Sequence, residues 1–190
     1  MTKNFILLSL LTLLFVQCSK EKDVFLIAKT DIGHLSKTTK INQLDSIYAQ
    51  DSVVTLLPRE IFLTKGGQVE IYEKGGAKLL LLSPKIDNDP ESKISNIQIF
   101  DERYKTEKGL TLKSTFKDLK DKYTISSIQS TRMSVVISLV ETDVYVTIDR
   151  QVLPENVRNE FGAKIEATQI PDTAPFKYFM VGWEKQEEEK

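Results

Sequence analysis

The chain has 190 residues, 41% of them hydrophobic, with 26 Lys and Arg against 27 Asp and Glu and a single cysteine. Nearly balanced charge, with no basic stripe interleaved with aromatics, argues against nucleic acid as a partner. One cysteine excludes an internal disulfide, so the fold rests on burial, and the length suffices for one good core or two small ones.

The chain begins MTKNFILLSLLTLLFVQCSKEKD. Lys3 supplies a positive start, and residues 5–16 form an apolar run of the length of a signal-peptide core, too short to span a bilayer comfortably. Cys18 sits at its end, after Gln17, and the polar stretch Ser19 to Asp23 follows at once. This arrangement resembles a bacterial lipoprotein signal. The resemblance implies that residues 1–17 are a leader, cut before Cys18. It also implies that the Cys18 thiol carries diacylglycerol, with palmitate-type chains. The three residues before the cysteine, Phe15, Val16 and Gln17, depart from the usual leucine and small residues, and are similar to the looser boxes of Bacteroidota lipoproteins. The competing reading is an ordinary secretory leader or an uncleaved anchor with a coincidental cysteine. Each buried methylene contributes about 0.8 kcal/mol to membrane retention, and stable anchoring takes more than one chain. A triacylated cysteine meets that condition. The address implied is the cell envelope, at the outer membrane, on its periplasmic or its surface side.

Past a polar linker at 18–23, the spacing of apolar residues predicts the elements in turn. Ile41, Leu44, Ile47 and Tyr48 fall on one helical stripe, with Thr39 as a cap. Residues 69–72 and 77–82 read as a hairpin around Lys74, Gly75 and Gly76. The run Leu79-Leu80-Leu81-Leu82 lacks alternation and predicts a central strand covered on both faces. Residues 94–100 form a further strand. Phe116, Leu119 and Tyr123 define a second helical stripe, capped by Ser114 or Thr115, with Asp118 completing a capping box. Residues 133–140 and 144–148 read as a hairpin around Glu141, Thr142 and Asp143. Residues 154–162 read as a helix opened by proline and closed by glycine. Residues 164–170 and 176–183 are expected strands, and 184–190 a charged tail.

The two stripes superpose: Leu44 on Leu119, Ile41 on Phe116, Tyr48 on Tyr123, Thr39 on Ser114. Glycines precede both, Gly33 and Gly109, out of phase by one. A duplicated unit, 24–100 and 101–183, is one reading of this, and chance similarity of two short amphipathic helices is the other. The layout, best seen in Gly109-Leu110-Thr111-Leu112-Lys113-Ser114-Thr115-Phe116-Lys117-Asp118-Leu119, resembles the β-lactamase-inhibitory-protein-like architecture, shared by outer-membrane-assembly lipoproteins of the SmpA/OmlA type. The expected fold class is therefore α+β, an antiparallel sheet with short helices on one face. It is built either as two tandem helix-plus-meander units or as one β-rich sandwich with decorating helices. Two copies and an added helix at 154–161 depart from those assembly lipoproteins, so no binding residue carries over.

Chemistry is sparse. His34 is the one histidine, and with Cys18 acylated no Cys/His or Ser/His/Asp machinery and no Cys/His zinc site can be assembled. Beside Gly33 it reads as a solvated loop residue. Asp87, Asn88, Asp89 and Glu91 group oxygen ligands but lack a calcium-loop spacing, and turns use the same residues. Residues 101–108 read either as a charged connector or as a recognition patch holding Arg103 and Tyr104. Residues 176–183 read as a last core strand or as an aromatic edge shielded by Lys177. No catalytic, cofactor or metal residue is expected, and no cofactor. The functional expectation is a non-catalytic, lipid-anchored envelope protein that binds a protein partner. The alternative is a carrier with an apolar pocket between helices and sheet, which would need roughly 300 Å³ or more.

Overall fold

Strands that alternate apolar and polar residues give a sheet one face to bury and one to wet, and this chain builds that sheet eight strands wide. The computed structural model describes residues 23–56, 67–159, 162 and 164–183. The leader, Cys18 and the tail at 184–190 lie outside the described residues.

The short strands β1 (Leu26–Ile27), β2 (Asp31–Ile32) and β3 (Leu35–Ser36) come first. A 3-10 turn at Ile41–Gln43 then runs into helix α1 (Leu44–Ile47). Four strands follow: β4 (Ser52–Thr55), β5 (Val69–Tyr72), β6 (Lys78–Pro84) and β7 (Ile94–Ile99). β8 (Lys105–Thr106) returns to pair in parallel with β1. Helix α2 (Phe116–Lys122) leads into β9 (Ile125–Ser130), β10 (Ser134–Leu139) and β11 (Val144–Asp149). A connection containing the four-residue helix α3 (Glu155–Arg158) reaches β12 (Tyr178–Gly182). The small sheet has the order β3-β2-β1-β8, and the large one β4-β5-β6-β7-β12-β11-β10-β9. All pairings in the large sheet are antiparallel.

The large sheet is thus two four-stranded runs joined at β7 and β12. That junction has the register Ile99↔Phe179, Gln98↔Met180, Ile97↔Val181. Its four inward side chains, Ile97, Ile99, Phe179 and Val181, are at most 1% exposed. Burial of such side chains contributes about 1.5–3 kcal/mol each. One continuous core covers this face. Leu80, Leu82, Val135, Ile137, Val146 and Ile148 contribute from the sheet, Leu44, Phe116, Leu119 and Leu35 from the helices and small sheet, and Leu110 from the connection ahead of α2.

Both long-sheet helices dock by the same backbone bonds. Ile41 N donates to Ser92 O at 3.0 Å, and Asn42 N to Pro90 O at 2.9 Å. In the other half Phe116 N donates to Ala174 O and Lys117 N to Asp172 O, each at 2.9 Å. The acceptors lie just ahead of β7 and just ahead of β12. Before each helix a hydroxyl closes the preceding turn. Thr39 Oγ1 accepts from Ser36 N at 3.0 Å, and Ser114 Oγ accepts from Thr111 N at 3.1 Å. The N-caps are Lys40 and Thr115. Thr39 therefore caps the turn rather than the helix. Asp118 accepts from Thr115 N at 2.7 Å, the expected capping box, and Gln43 plays the same part for Lys40 N at 2.9 Å.

Three expectations need correction. Residues 164–170 are not a strand: Ala167–Gln169 form a 3-10 turn, and buried Ile165 and Ile170 pin its two sides to the core. Of the two readings of 176–183 the core strand holds, since β12 is central and not an edge. β6 is covered on one face only: Leu81 is half-buried on the other. The leucine run arises because the register slips opposite Ile71 and Tyr72, which lets Leu79 and Leu80 both be buried. Strands β4 and β9, at the two ends of the sheet, go unannounced in the sequence because an edge strand buries little. Residues 154–162 keep a helix, but a shorter one, with Pro154 as its N-cap.

Leu119 is fully buried in the middle of its stripe. Leu119→Ala should cost about 2–5 kcal/mol in urea unfolding. Lys120 ion-pairs with Asp172 at 2.5 Å at the surface, so Lys120→Ala should cost no more than about 1 kcal/mol. Equal losses would mean that the α2 stripe carries no core.

Candidate functional site

The opposite face of the large sheet carries the side chains that alternate with the core. Its middle is Gln98 and Met180, directly paired across the β7–β12 junction. Around them stand Leu81, Asn96, Tyr145, Val136 and Tyr178, half-buried or exposed. Tyr and Met near the centre, with charges paired off, are residue types enriched at protein-binding surfaces. Residues on an uncovered sheet shield one another, which explains their intermediate burial.

Local packing fixes this face in place. Asn96 Nδ2 donates to Tyr145 Oη at 2.8 Å, and Tyr145 Oη donates to Asn96 Oδ1 at 3.1 Å. The two residues sit on strands separated by β12. Asn96 pairs with Gly182, whose missing side chain leaves the tyrosine room to cross. Burial pushes the Tyr145 hydroxyl up from its ordinary pKa. Near the strand end, Glu70 accepts from Lys78 Nζ at 2.5 Å and from Tyr72 Oη at 2.7 Å. Those two donors, the lysine first, hold the Glu70 carboxyl below its usual range. Lys78 also sits 4.1 Å from the Phe100 ring centre. On β11, Thr147 Oγ1 is buried without a hydrogen-bond partner, between its strand neighbours Val136 and Tyr178.

Other singled-out residues find plain structural roles. His34 is exposed and meets Tyr48 edge-on at 5.9 Å. Glu91 accepts from Lys40 Nζ at 2.7 Å and from Asn42, and Asp89 accepts from Glu91 N at 2.9 Å. Among the described residues no group of three or more His, Cys, Asp or Glu is placed to hold a metal. The connector at 101–108 is knitted into the fold: Tyr104 is buried. Arg103 bonds to Asp101 at 2.7 Å and Glu73 at 2.9 Å, and lies over Phe25 at 4.2 Å. Arg150, which the sequence reading passed over, is 2% exposed. It donates to Arg158 O at 2.8 Å, Thr131 O at 3.0 Å and Val157 O at 3.2 Å, and to Ser130 Oγ. It thereby straps the α3 segment to the β9–β10 hairpin. No local pattern marks such an arginine in a sequence.

A groove of about 520 Å³ lies beside α1, lined by Ser36, Thr38, Thr39, Asn42, Gln43 and Ser46 with Ile47. Hydroxyls and amides dominate it, so it lacks the apolar lining that a carrier of apolar ligands would use. Among the described residues no helix is long and apolar enough to cross a membrane.

No protein-family model matches the chain, and no curated protein matches it. Among solved structures, the crystal structure of the uncharacterized protein yfeY from Escherichia coli is similar, with a TM-score of 0.53 and 12% identity. The match covers 82% of this chain and 98% of that one. It is a likeness of fold alone.

Two outcomes follow from these contacts. Tyr145→Phe removes the bond to Asn96 and should lower stability by about 0.5–1.5 kcal/mol in urea unfolding. The Arg103 guanidinium holds the Asp101 carboxyl below its usual range. A carboxyl lowered in the folded state stabilises above its unfolded pKa, about 3.9, and loses that contribution as pH falls through the folded value. Thermal unfolding followed below about pH 4 should therefore decline less steeply for Asp101→Asn than for the natural chain.

Proposed function

We propose that this chain is a non-catalytic, lipid-anchored envelope protein, held at the outer membrane through Cys18, which presents the open face of its large sheet to a protein partner. The observation that carries the reading is that face. Eight strands wide, it is covered on its core side and left uncovered by the described residues on the other. Its centre is uncharged and holds Gln98, Met180, Leu81 and Tyr145. Supporting the anchor is the apolar run at 5–16 ending at Cys18, followed at once by polar residues.

The two halves are read as tandem helix-plus-meander units, in keeping with a β-lactamase-inhibitory-protein-like layout. Matching helix-docking bonds at Ser92 and Ala174, and matching hydroxyl-closed turns at Thr39 and Ser114, support this. So does the self-matching register at Gln98 and Met180.

Two measurements test the reading. Cys18→Ser leaves no thiol to acylate, so lipid mass and membrane retention should both vanish. An unmodified Cys18 in the mature natural protein would refute the anchor. A photo-crosslinking residue at Met180 should trap a distinct protein in native membranes, and the same residue at His34 should not. Identical adducts from both positions would refute the open face as the binding surface.

A further inference from the structure

We propose that the strand end nearest the start of the described chain rests on the lipid surface, so that the large sheet stands upright on the bilayer with its open face turned sideways. This rests on the reading of Cys18 as lipidated. Four residues separate Cys18 from Asp23, and the five Cα steps fully extended reach at most about 18 Å. The domain is therefore held close to the lipid by whichever side carries Asp23.

Contacts identify that side. Asp23 pairs with Lys105 at 3.1 Å. The Phe25 ring meets Tyr104 at 5.1 Å. Arg103, in the same connector, reaches Glu73 in the β5–β6 turn. The chain thus enters beside the end of the sheet where β7 finishes. By the register Ile99↔Phe179, Thr147↔Tyr178 and Ser134↔Asp149, β12 begins, β11 finishes and β10 begins at this same end.

Exposed apolar side chains gather there. Met133 is 67% exposed, Tyr178 42%, and Val24 and Val152 37% each. Met133 O accepts from Arg150 N at 3.1 Å, and Val152 is two residues on. A pliable methionine and a tyrosine with an apolar body and polar tip suit the boundary between water and acyl chains. At the other end Ile86 and Val140 are also exposed, at 57% and 40%. They lie beyond six-residue strands, about 20 Å farther from the tether. The tether, not apolarity alone, selects which end meets lipid. The partner-binding face is left perpendicular to the membrane and reachable from the side.

The test uses the full lipidated chain in vesicles of phosphatidylethanolamine and phosphatidylglycerol. Acylation blocks the Cys18 sulfur, so Met133→Cys and Ile86→Cys each offer one thiol for an environment-sensitive dye. The dye at 133 should shift to the blue and lose emission to doxyl-labelled lipid, while the dye at 86 should keep its aqueous spectrum. If Cys18 is acylated by mass and the dye at 133 stays aqueous, or both positions respond alike, the upright orientation is overturned and the anchor stands. If Cys18 carries no lipid, the anchor falls and the orientation with it.

Discussion

Backbone pairing between β7 and β12 is the constraint on which the rest of the structure hangs. Gln98 and Met180 face each other at its centre, and Ile97, Ile99, Phe179 and Val181 fill the core beneath it. The residues leading into these two strands also hold the two main helices: Ser92 and Pro90 accept from the start of one, Ala174 and Asp172 from the start of the other. Helices this short have no stability of their own in water. They exist because the strands of the junction present carbonyls for their first amides and apolar ground for Leu44, Phe116 and Leu119. A four-stranded half with one such helix buries little. Joined, the halves share a single core without a disulfide.

The same constraint decides which face stays open. Once the helices, the small sheet and the strap formed by Arg150 lie on the side of Phe179, nothing among the described residues is left to cover the side of Met180. That face is neither a hydrophobic patch nor a charged one. Its ionic groups neutralise each other, as Glu70 with Lys78 at 2.5 Å, and its tyrosines are braced, as Tyr145 by Asn96. Such a surface holds aromatic side chains in place beforehand, which is what the proposed binding of a partner would use. The Thr147 hydroxyl is a buried polar atom of this face that its own neighbours leave unsatisfied.

Much of this was legible in the amino-acid order, and the exceptions have physical causes. The α2 cap was readable because Thr115 and Asp118 satisfy local amides three residues apart. Alternation in 94–100 and 144–148 announced strands that bury one face. Antiparallel α+β architecture followed from hairpins such as that at Lys74-Gly75-Gly76, where Gly76 takes φ +88°. The segment 164–170 misled because Ile165 and Ala167 alternate like strand residues while the backbone turns to lay Ile170 on the core. β4 and β9 were silent because each lies at a sheet edge. The open face was invisible for a different reason: no sequence pattern says which strand neighbours which, and only the β7–β12 pairing brings Met180 beside Gln98 and Asn96 within reach of Tyr145.

Native-state hydrogen exchange tests the role of this junction most directly. The amides of β7 and β12 should be among the slowest to exchange, and β5–β6 and β10–β11 should lose protection together, in one global opening. Separate openings of the two halves, with β7 and β12 exchanging as fast as the edge strands β4 and β9, would contradict the account.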